Sequence, residues 1–226
     1  VYTGALEEAA AKIGSHQSDA EIITVVADVS DEQATKNYVD QTVKKLGRID
    51  GFYNNAGIEG RQAELTKYDV AIFKKVIDIN LMGVYYGMRY VIPVMQEQKY
   101  GRIVNASSVG GLRGVLNQGP YVAAKHAVEG MTKNAAMEYG RYNILTNAIS
   151  PGAILTPMVA EAFKQINPDD PKAAEKDFAQ RNPTRRLGLP HEVANVVAWL
   201  LSEENSYVNG QSIAIDGGES SIYGNS

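Results

Sequence analysis

A doubly wound parallel α/β sheet of the Rossmann type is the fold class this sequence predicts, and three observations predict it. Short β-branched runs alternate with longer amphipathic patterns of helical period, as in consecutive βαβ units. Several of those runs are nearly continuous apolar stretches, the pattern of strands covered on both faces by helices. The chain has 226 residues, 44% of them hydrophobic, enough to bury one large core. No linker, repeat or low-complexity tract interrupts the alternation up to Gly188, so a single domain spanning 1–226 is expected.

The elements follow in order. After an amphipathic stretch at 5–13, strands are predicted at 22–27, 49–53, 102–106, 144–149 and 212–215. Helices are predicted at 31–46, 69–98, 120–142 and 191–202. Ser30, with Gln33 three residues on, reads as a capping box opening the first of these helices. Gly47 suits a left-handed cap at its end. The stretch 156–188 breaks the rhythm with Pro157, Pro168, Pro171 and Pro183 and two short helical patterns between them. It follows directly on a strand's carboxyl end, where ligands sit in such sheets, and so reads as a substrate lid.

Composition narrows the function classes. A net charge of −4 leaves no electrostatic footprint for nucleic acid or for an acidic membrane surface. No apolar run is long enough to span a bilayer. With no cysteine, disulfides, thiol nucleophiles and thiolate metal sites are excluded, which fits a reducing cytoplasm. His16, His126 and His191 lack metal-ligand spacing, so no metal is expected.

The chemistry centres on Tyr121 and Lys125. Positions four apart share a helix face, so phenol and ammonium can approach one another. A free tyrosine titrates near 10; bringing it to about 7 takes about 4 kcal/mol of differential stabilisation of the phenolate. A neighbouring cation supplies part of that, and the remainder must come from a dry site and a bound cation. A Tyr-x-x-x-Lys spacing is a weak signal by itself, although only Tyr121 of the thirteen tyrosines has Lys at this distance. Its surroundings add weight. Asn54-Asn55-Ala56-Gly57, Asn105-Ala106-Ser107-Ser108 and Ser150-Pro151-Gly152-Ala153-Ile154-Leu155-Thr156 each close a predicted strand. Three strand ends and one helix start therefore meet at one edge of the sheet.

These motifs in this order resemble the short-chain dehydrogenase/reductase family, from Val1 to Ile215-Asp216-Gly217-Gly218. Ser108 stands thirteen residues before Tyr121, the family's usual spacing, which leaves Ser107 as a packing hydroxyl. The resemblance implies a hydride transfer between NAD or NADP and a ketone or secondary alcohol, with Asn80, Ser108, Tyr121 and Lys125 as the catalytic set. Ser108 and Tyr121 would hold the substrate oxygen, Tyr121 would move the proton, and Asn80 would hold a relay water to Lys125. Asp28 and Val29 would contact adenine, although Asp28 also reads as a strand-end cap. Asn54, Ala56 and Gly57 would line the adenosine ribose and stabilise the sheet. Lys125 would also bond the nicotinamide ribose, beside Tyr121. In the Pro151–Gly152 segment, the Ile154 backbone and the Thr156 hydroxyl would grip the carboxamide. The family's glycine-rich loop is absent, so a first βαβ unit of roughly 30 residues is expected ahead of Val1. The residue that selects NAD over NADP would lie there too.

The pieces 57–60, 109–114, 138–142 and 157–159 resemble a family member that reduces a cyclic diketone with NAD, which favours NAD slightly. That implies a small cyclic ketone contacted by Gln118 and Met158, in addition to Ser108 and Tyr121. Common ancestry with a different substrate is an equal alternative. An epimerase or dehydratase on the same fold, or a silent dinucleotide sensor or scaffold, are the competing functions. Family members commonly form homotetramers through the two long helices, and Tyr85, Tyr86, Met88 and Tyr90 would suit such a face or an intrachain contact.

Overall fold

The computed structural model describes residues 3–16 and 19–221. Val1, where the family resemblance begins, lies outside the described residues. Helix α1 (Thr3–His16) buries none of its side chains. Helix α2 (Glu32–Leu46) starts one residue later than the capping box predicts. Its cap is Asp31, whose carboxylate accepts from the N–H groups of Gln33 and Ala34 at 2.7 and 3.1 Å. A carboxylate satisfies two orphan donors and complements the positive helix end, which a serine hydroxyl does less well. Ser30 instead gives its N–H and hydroxyl to Asp28. Gly47 ends α2 at φ 80°, as predicted, and its N–H reaches the Val43 carbonyl.

Strands β1 (Gly51–Asn54), β2 (Gly101–Ala106), β3 (Ile144–Pro151) and β4 (Ser212–Ile215) form one parallel sheet in the order β1-β2-β3-β4. The predicted strand at 22–27 is not one. A strand needs a neighbour to take its N–H and C=O groups. Among the described residues this segment has no ladder partner, and its Val26 is 55% exposed.

Alternation along β2 sets the layers. Ile103 faces α2, α4 (Gly83–Gln98) and α5 (Gly119–Tyr139), packing with Val39, Val84, Val91, Met95 and Val128. Val104 faces the opposite side and packs with Val197 and Leu200 of α8 (Pro190–Leu201). Helices thus cover both faces, which is why these strands read as continuous apolar runs. Ile103 is 1% exposed, so Ile103→Ala should cost about 2–5 kcal/mol.

The helix predicted over 69–98 is interrupted. Asp69 caps α3 (Val70–Ile77) by accepting from the Ile72 N–H at 2.9 Å, and a π-helical turn over Asp78–Met82 then leads into α4. Asn80 lies within that turn. Met88, one of the candidate interface residues, points into the core at 6% exposure, and Tyr90 bonds Glu32 within the chain. Tyr85 and Tyr86 remain as candidates for an outer face, with ring centroids 5.7 Å apart.

The stretch 156–188 holds two helices, α6 (Pro157–Ile166) and α7 (Pro171–Arg181), joined edge to face by Phe163 and Phe178 at 5.8 Å. Its two ends are stitched together. Leu155 N–H donates to the Gly188 carbonyl at 2.9 Å, and Gly188 N–H to the Ala153 carbonyl at 3.0 Å. Among the described residues no helix is long and apolar enough to cross a membrane.

Candidate active site

Parallel strands in one register bring their carboxyl ends to one edge. Asn54 pairs with Asn105, Ala106 with Ile149, and Pro151 with Ile215. The start of α5 lies against this edge, with Pro120 in its first turn, where proline's missing N–H costs nothing. Tyr121 and Lys125 therefore share a face directed at the strand ends. Lys125 is 3% exposed; its Nζ donates to the Ala106 carbonyl at 2.7 Å and stands 5.5 Å from the centre of the Tyr121 ring. The chain leaves β2 through Ser107, whose buried hydroxyl donates to the Lys125 carbonyl at 3.3 Å. Ser108 follows. Its hydroxyl accepts from the Gly110 N–H at 3.1 Å and lies close enough to the Tyr121 phenol to favour the phenolate.

Asn80 closes the far side. Its Oδ1 accepts from the Ile58 N–H at 2.8 Å, and its Nδ2 donates to the Ile58 carbonyl at 2.7 Å. One buried amide thus holds the backbone just after Gly57. A Cβ at Gly57 would sit 3.2 Å from Asn80 Oδ1 and 3.6 Å from Lys125 Nζ, so glycine leaves this approach to the ammonium open.

Electrostatics divide the pair. Burial lowers Lys125 from 10.5 to about 8, against the pull of the Glu129 carboxylate, which favours the charged form. Burial also pushes the Tyr121 phenol upward; the Ser108 hydroxyl opposes this and the Glu59 charge reinforces it. Without a bound cation, desolvation outweighs the Ser108 hydroxyl. The phenol is thus kept protonated, the form needed to donate a proton.

The remaining predicted residues divide between this edge and the scaffold. Asp28 is exposed and accepts from both Ser30 groups; with no strand before it among the described residues, it closes a loop turn and is not the strand-end cap that its sequence position suggested, and these bonds hold its carboxyl below the usual range. Val29 packs against Gly83 at the start of α4. Buried Asn54 donates to Asn105 Oδ1 at 3.0 Å, and Asn105 in turn donates to Thr132 at 3.0 Å, a network that ties the sheet to α5. Ala56 is exposed beside Gly57. Pro151 ends β3, and Gly152 packs against Asp216 and Glu219. Ile154 is buried in a bridge to Gly188. The Thr156 hydroxyl donates to the Ile154 carbonyl at 3.2 Å and caps α6 through the Val159 N–H. Gln118 donates to Glu59 at 2.5 Å, while Met158 is 40% exposed on the first turn of α6.

Sequence reasoning gave no role to Glu59 or Glu129. Glu59 is half-buried, accepts from Gln62 and Gln118, and is pushed upward by burial. Glu129 is 6% exposed. The signal for each was a lone acid in a stretch of small and apolar residues.

A buried ammonium with donors to spare, a glycine opening beside it and a protonated phenol fit the ribose and nicotinamide end of a dinucleotide. The class defined by this fold and site is a nicotinamide-dependent oxidoreductase. A family profile described as enoyl-(acyl carrier protein) reductase matches residues 1–220. Levodione reductase of Leifsonia aquatica is 51% identical over 223 residues, covering 99% of this chain and 84% of that protein. A 2,5-dichloro-2,5-cyclohexadiene-1,4-diol dehydrogenase of Sphingobium indicum is 39% identical over 196 residues, covering 86% of this chain and 76% of that protein. The crystal structure of levodione reductase superposes with a TM-score of 0.97 over 99% of this chain and 86% of its own. ElxO with NADP bound (TM-score 0.85, 34% identity, covering 95% and 86% of the two chains) has the same fold. So does NAD+-bound xylitol dehydrogenase (0.91, 34%, covering 96% and 86%). The chain belongs to the short-chain dehydrogenase/reductase family.

Proposed function

We propose that this chain reduces a small cyclic ketone, and oxidises the matching secondary alcohol, with Tyr121 as the acid/base group. The observation that carries the reading is the buried Lys125 ammonium held at the strand ends 5.5 Å from the Tyr121 ring, with the Ser108 hydroxyl beside the phenol. When bound, the coenzyme supplies or accepts the hydride. The protein's own part is binding, orientation and proton transfer.

In reduction, the Tyr121 and Ser108 hydroxyls bond the substrate oxygen and stabilise the negative charge growing on it. Tyr121 then releases its proton to that oxygen. Lys125 lowers the cost of the phenolate left behind and holds the ribose through its spare donors. Asn80 fixes the 57–59 backbone and orders a relay water to Lys125. Ile154, Thr156, Pro151 and Gly152 hold the carboxamide; Asn54, Ala56, Gly57, Asp28 and Val29 serve the adenosine end. NAD or NADP is the proposed coenzyme, supported by the NAD+-bound xylitol dehydrogenase and NADP-bound ElxO neighbours, with NAD slightly favoured by the resemblance of 57–60, 109–114, 138–142 and 157–159.

Segment 156–188 acts as the lid, within the single domain. Its stitched base supports this role, as does the bond from the Gln62 N–H to Gln165 of α6 at 3.1 Å, which ties the lid to the Glu59 loop. Gln118 and Met158 contact the ring. The cyclic substrate class is supported by the printed activities of two relatives, levodione reductase and the cyclohexadienediol dehydrogenase. A cytoplasmic homotetramer completes the proposal, supported by the exposed Tyr85 and the absence of cysteine.

The test is oxidation of reduced nicotinamide against a panel of cyclic diketones, cyclohexanones and linear ketones. Turnover strongest with the cyclic compounds supports the reading. Tight coenzyme binding with no turnover across the panel would replace it with a dinucleotide sensor.

A further inference from the structure

One helical turn beyond Lys125, on the face of α5 that lies on the sheet, stands a carboxylate that the reaction described above does not use. Glu129 is 6% exposed. Its Oε1 accepts from the Ser150 hydroxyl of β3 at 2.9 Å and from the Ser212 hydroxyl of β4 at 2.9 Å; the two hydroxyls are themselves 2.9 Å apart. Neither serine carries a charge, so the cluster contains no cation to balance Glu129.

Taking a carboxylate out of water costs several kcal/mol unless something compensates. Two hydroxyl donors bond one of its oxygens without neutralising the charge. The charge that opposes it is Lys125, four residues earlier on the same helix, itself buried and bonded to a neutral carbonyl. Each ion is costly alone, and each offsets the other's desolvation. Glu129 is thus built into the sheet–helix interface where its field reaches Lys125 from beneath, opposite Tyr121.

We propose that Glu129, clamped by Ser150 and Ser212, is a positioning residue that keeps the Lys125 ammonium charged in its dry site. It acts through Lys125 and touches neither substrate nor coenzyme. The inference rests on the Tyr121–Lys125 reading above. The charged and titratable groups around Lys125 are Tyr121 and Glu129 on α5, with Glu59 acting on Tyr121 from the 57–63 loop; Asn80 and Ala106 present neutral groups from the π-turn and β2.

The sign follows directly. Burial alone favours the neutral amine, and Glu129 resists it. Reduction needs the ammonium charged, so turnover falls as pH rises through the Lys125 pKa. Replacing Glu129 by neutral glutamine keeps the size of the side chain and an acceptor for both serines but removes the charge. An opposite charge nearby shifts a buried group by about 1–3 pH units. The high-pH limb of kcat for ketone reduction should therefore move down by about one pH unit in Glu129→Gln. Glu129→Asp retains the charge, and its limb should stay near that of the wild type even if the variant is less stable.

Circular dichroism confirms folding of each variant before its profile is measured, with Tyr121→Phe run alongside. A Glu129→Gln limb that superposes on the wild-type limb overturns the inference, as does an Asp variant displaced as far as the Gln variant. Should Glu129→Gln not fold, Glu129→Met takes its place: a limb displaced downward by about one pH unit supports the inference, and one that superposes on the wild type overturns it. An active Tyr121→Phe enzyme would instead sink the reading on which the inference rests.

Discussion

Lys125 shows what the site demands of the fold. Its ammonium is held at about 8, against 10.5 for an exposed lysine, because the interior solvates charge poorly. That difference corresponds to about 3 kcal/mol of stability sacrificed at neutral pH. The sign is as follows. Below about pH 8 the group is charged in both folded and unfolded chains and the full penalty applies. Between about 8 and 10.5 the folded chain loses the proton first, so stability rises with pH across that window. Lys125→Met removes the charge and also the bond to Ala106, so the net gain should be about 1–2 kcal/mol. The melting temperature of the coenzyme-free protein should then increase by a few degrees while turnover disappears, checked by calorimetry and assay on one preparation. A lower melting temperature would show that the ammonium stabilises the fold.

The importance of Lys125 was legible from its spacing to Tyr121, but its burial was not. Periodicity places a residue on a face; it does not say how dry that face becomes when β2 and the π-turn close over it. Glu59 and Glu129 went unnoticed for the same reason, since an acid among small residues is usually solvated.

At the scale of elements, the π-turn over Asp78–Met82 is the feature that couples scaffold to site. Asparagine is a poor helix-interior residue, yet the hydrophobic pattern predicted one unbroken rod over 69–98. Helical period survives a single-turn bulge, so the interruption is invisible to it. What the turn accomplishes is aim: the Asn80 amide bonds both polar groups of the Ile58 backbone. In Asn80→Ala those two groups lose their partner inside the protein, at about 1–3 kcal/mol each. Urea unfolding should show a loss of about 2–5 kcal/mol, and KM for coenzyme should rise as the 57–59 loop drifts. A variant with wild-type stability would mean that water takes over both bonds.

The capping residue of α2 and the strand at 22–27 failed at this scale for different physical reasons. Asp31 displaced Ser30 because a charged acceptor binds a helix start more strongly than a hydroxyl. The 22–27 run has the composition of a strand, but pairing is a property of two segments, and among the described residues it has no partner. Apolar composition cannot supply that information.

For the molecule as a whole, the parallel sheet explains why the site could be assembled from sequence at all. Strands in common register deliver Asn54, Ala106 and Pro151 to one edge, so motifs distant in sequence converge without further assumptions. The layers on both faces were foreseeable from the apolar runs, and α8 and α5 supply them. The outer surface was less legible. Met88, read as suiting either an assembly face or an intrachain contact, is core; the helical period does not distinguish the side packed on the sheet from the side packed on a partner. Exposed Tyr85 and half-buried Tyr86 carry the remaining case for assembly. Light scattering should give about four times the chain mass, and Tyr86→Glu should lower it; a monomer at all concentrations would remove the homotetramer from the account.

The central claim is that Tyr121 delivers the proton while Lys125 and Ser108 make that delivery possible. Its most direct test is the turnover of Tyr121→Phe with a cyclic diketone and saturating reduced coenzyme, with coenzyme affinity measured in parallel by fluorescence titration. Loss of one hydroxyl should reduce kcat by roughly 10³-fold and leave coenzyme affinity nearly unchanged. A Tyr121→Phe enzyme within tenfold of wild type would contradict the account.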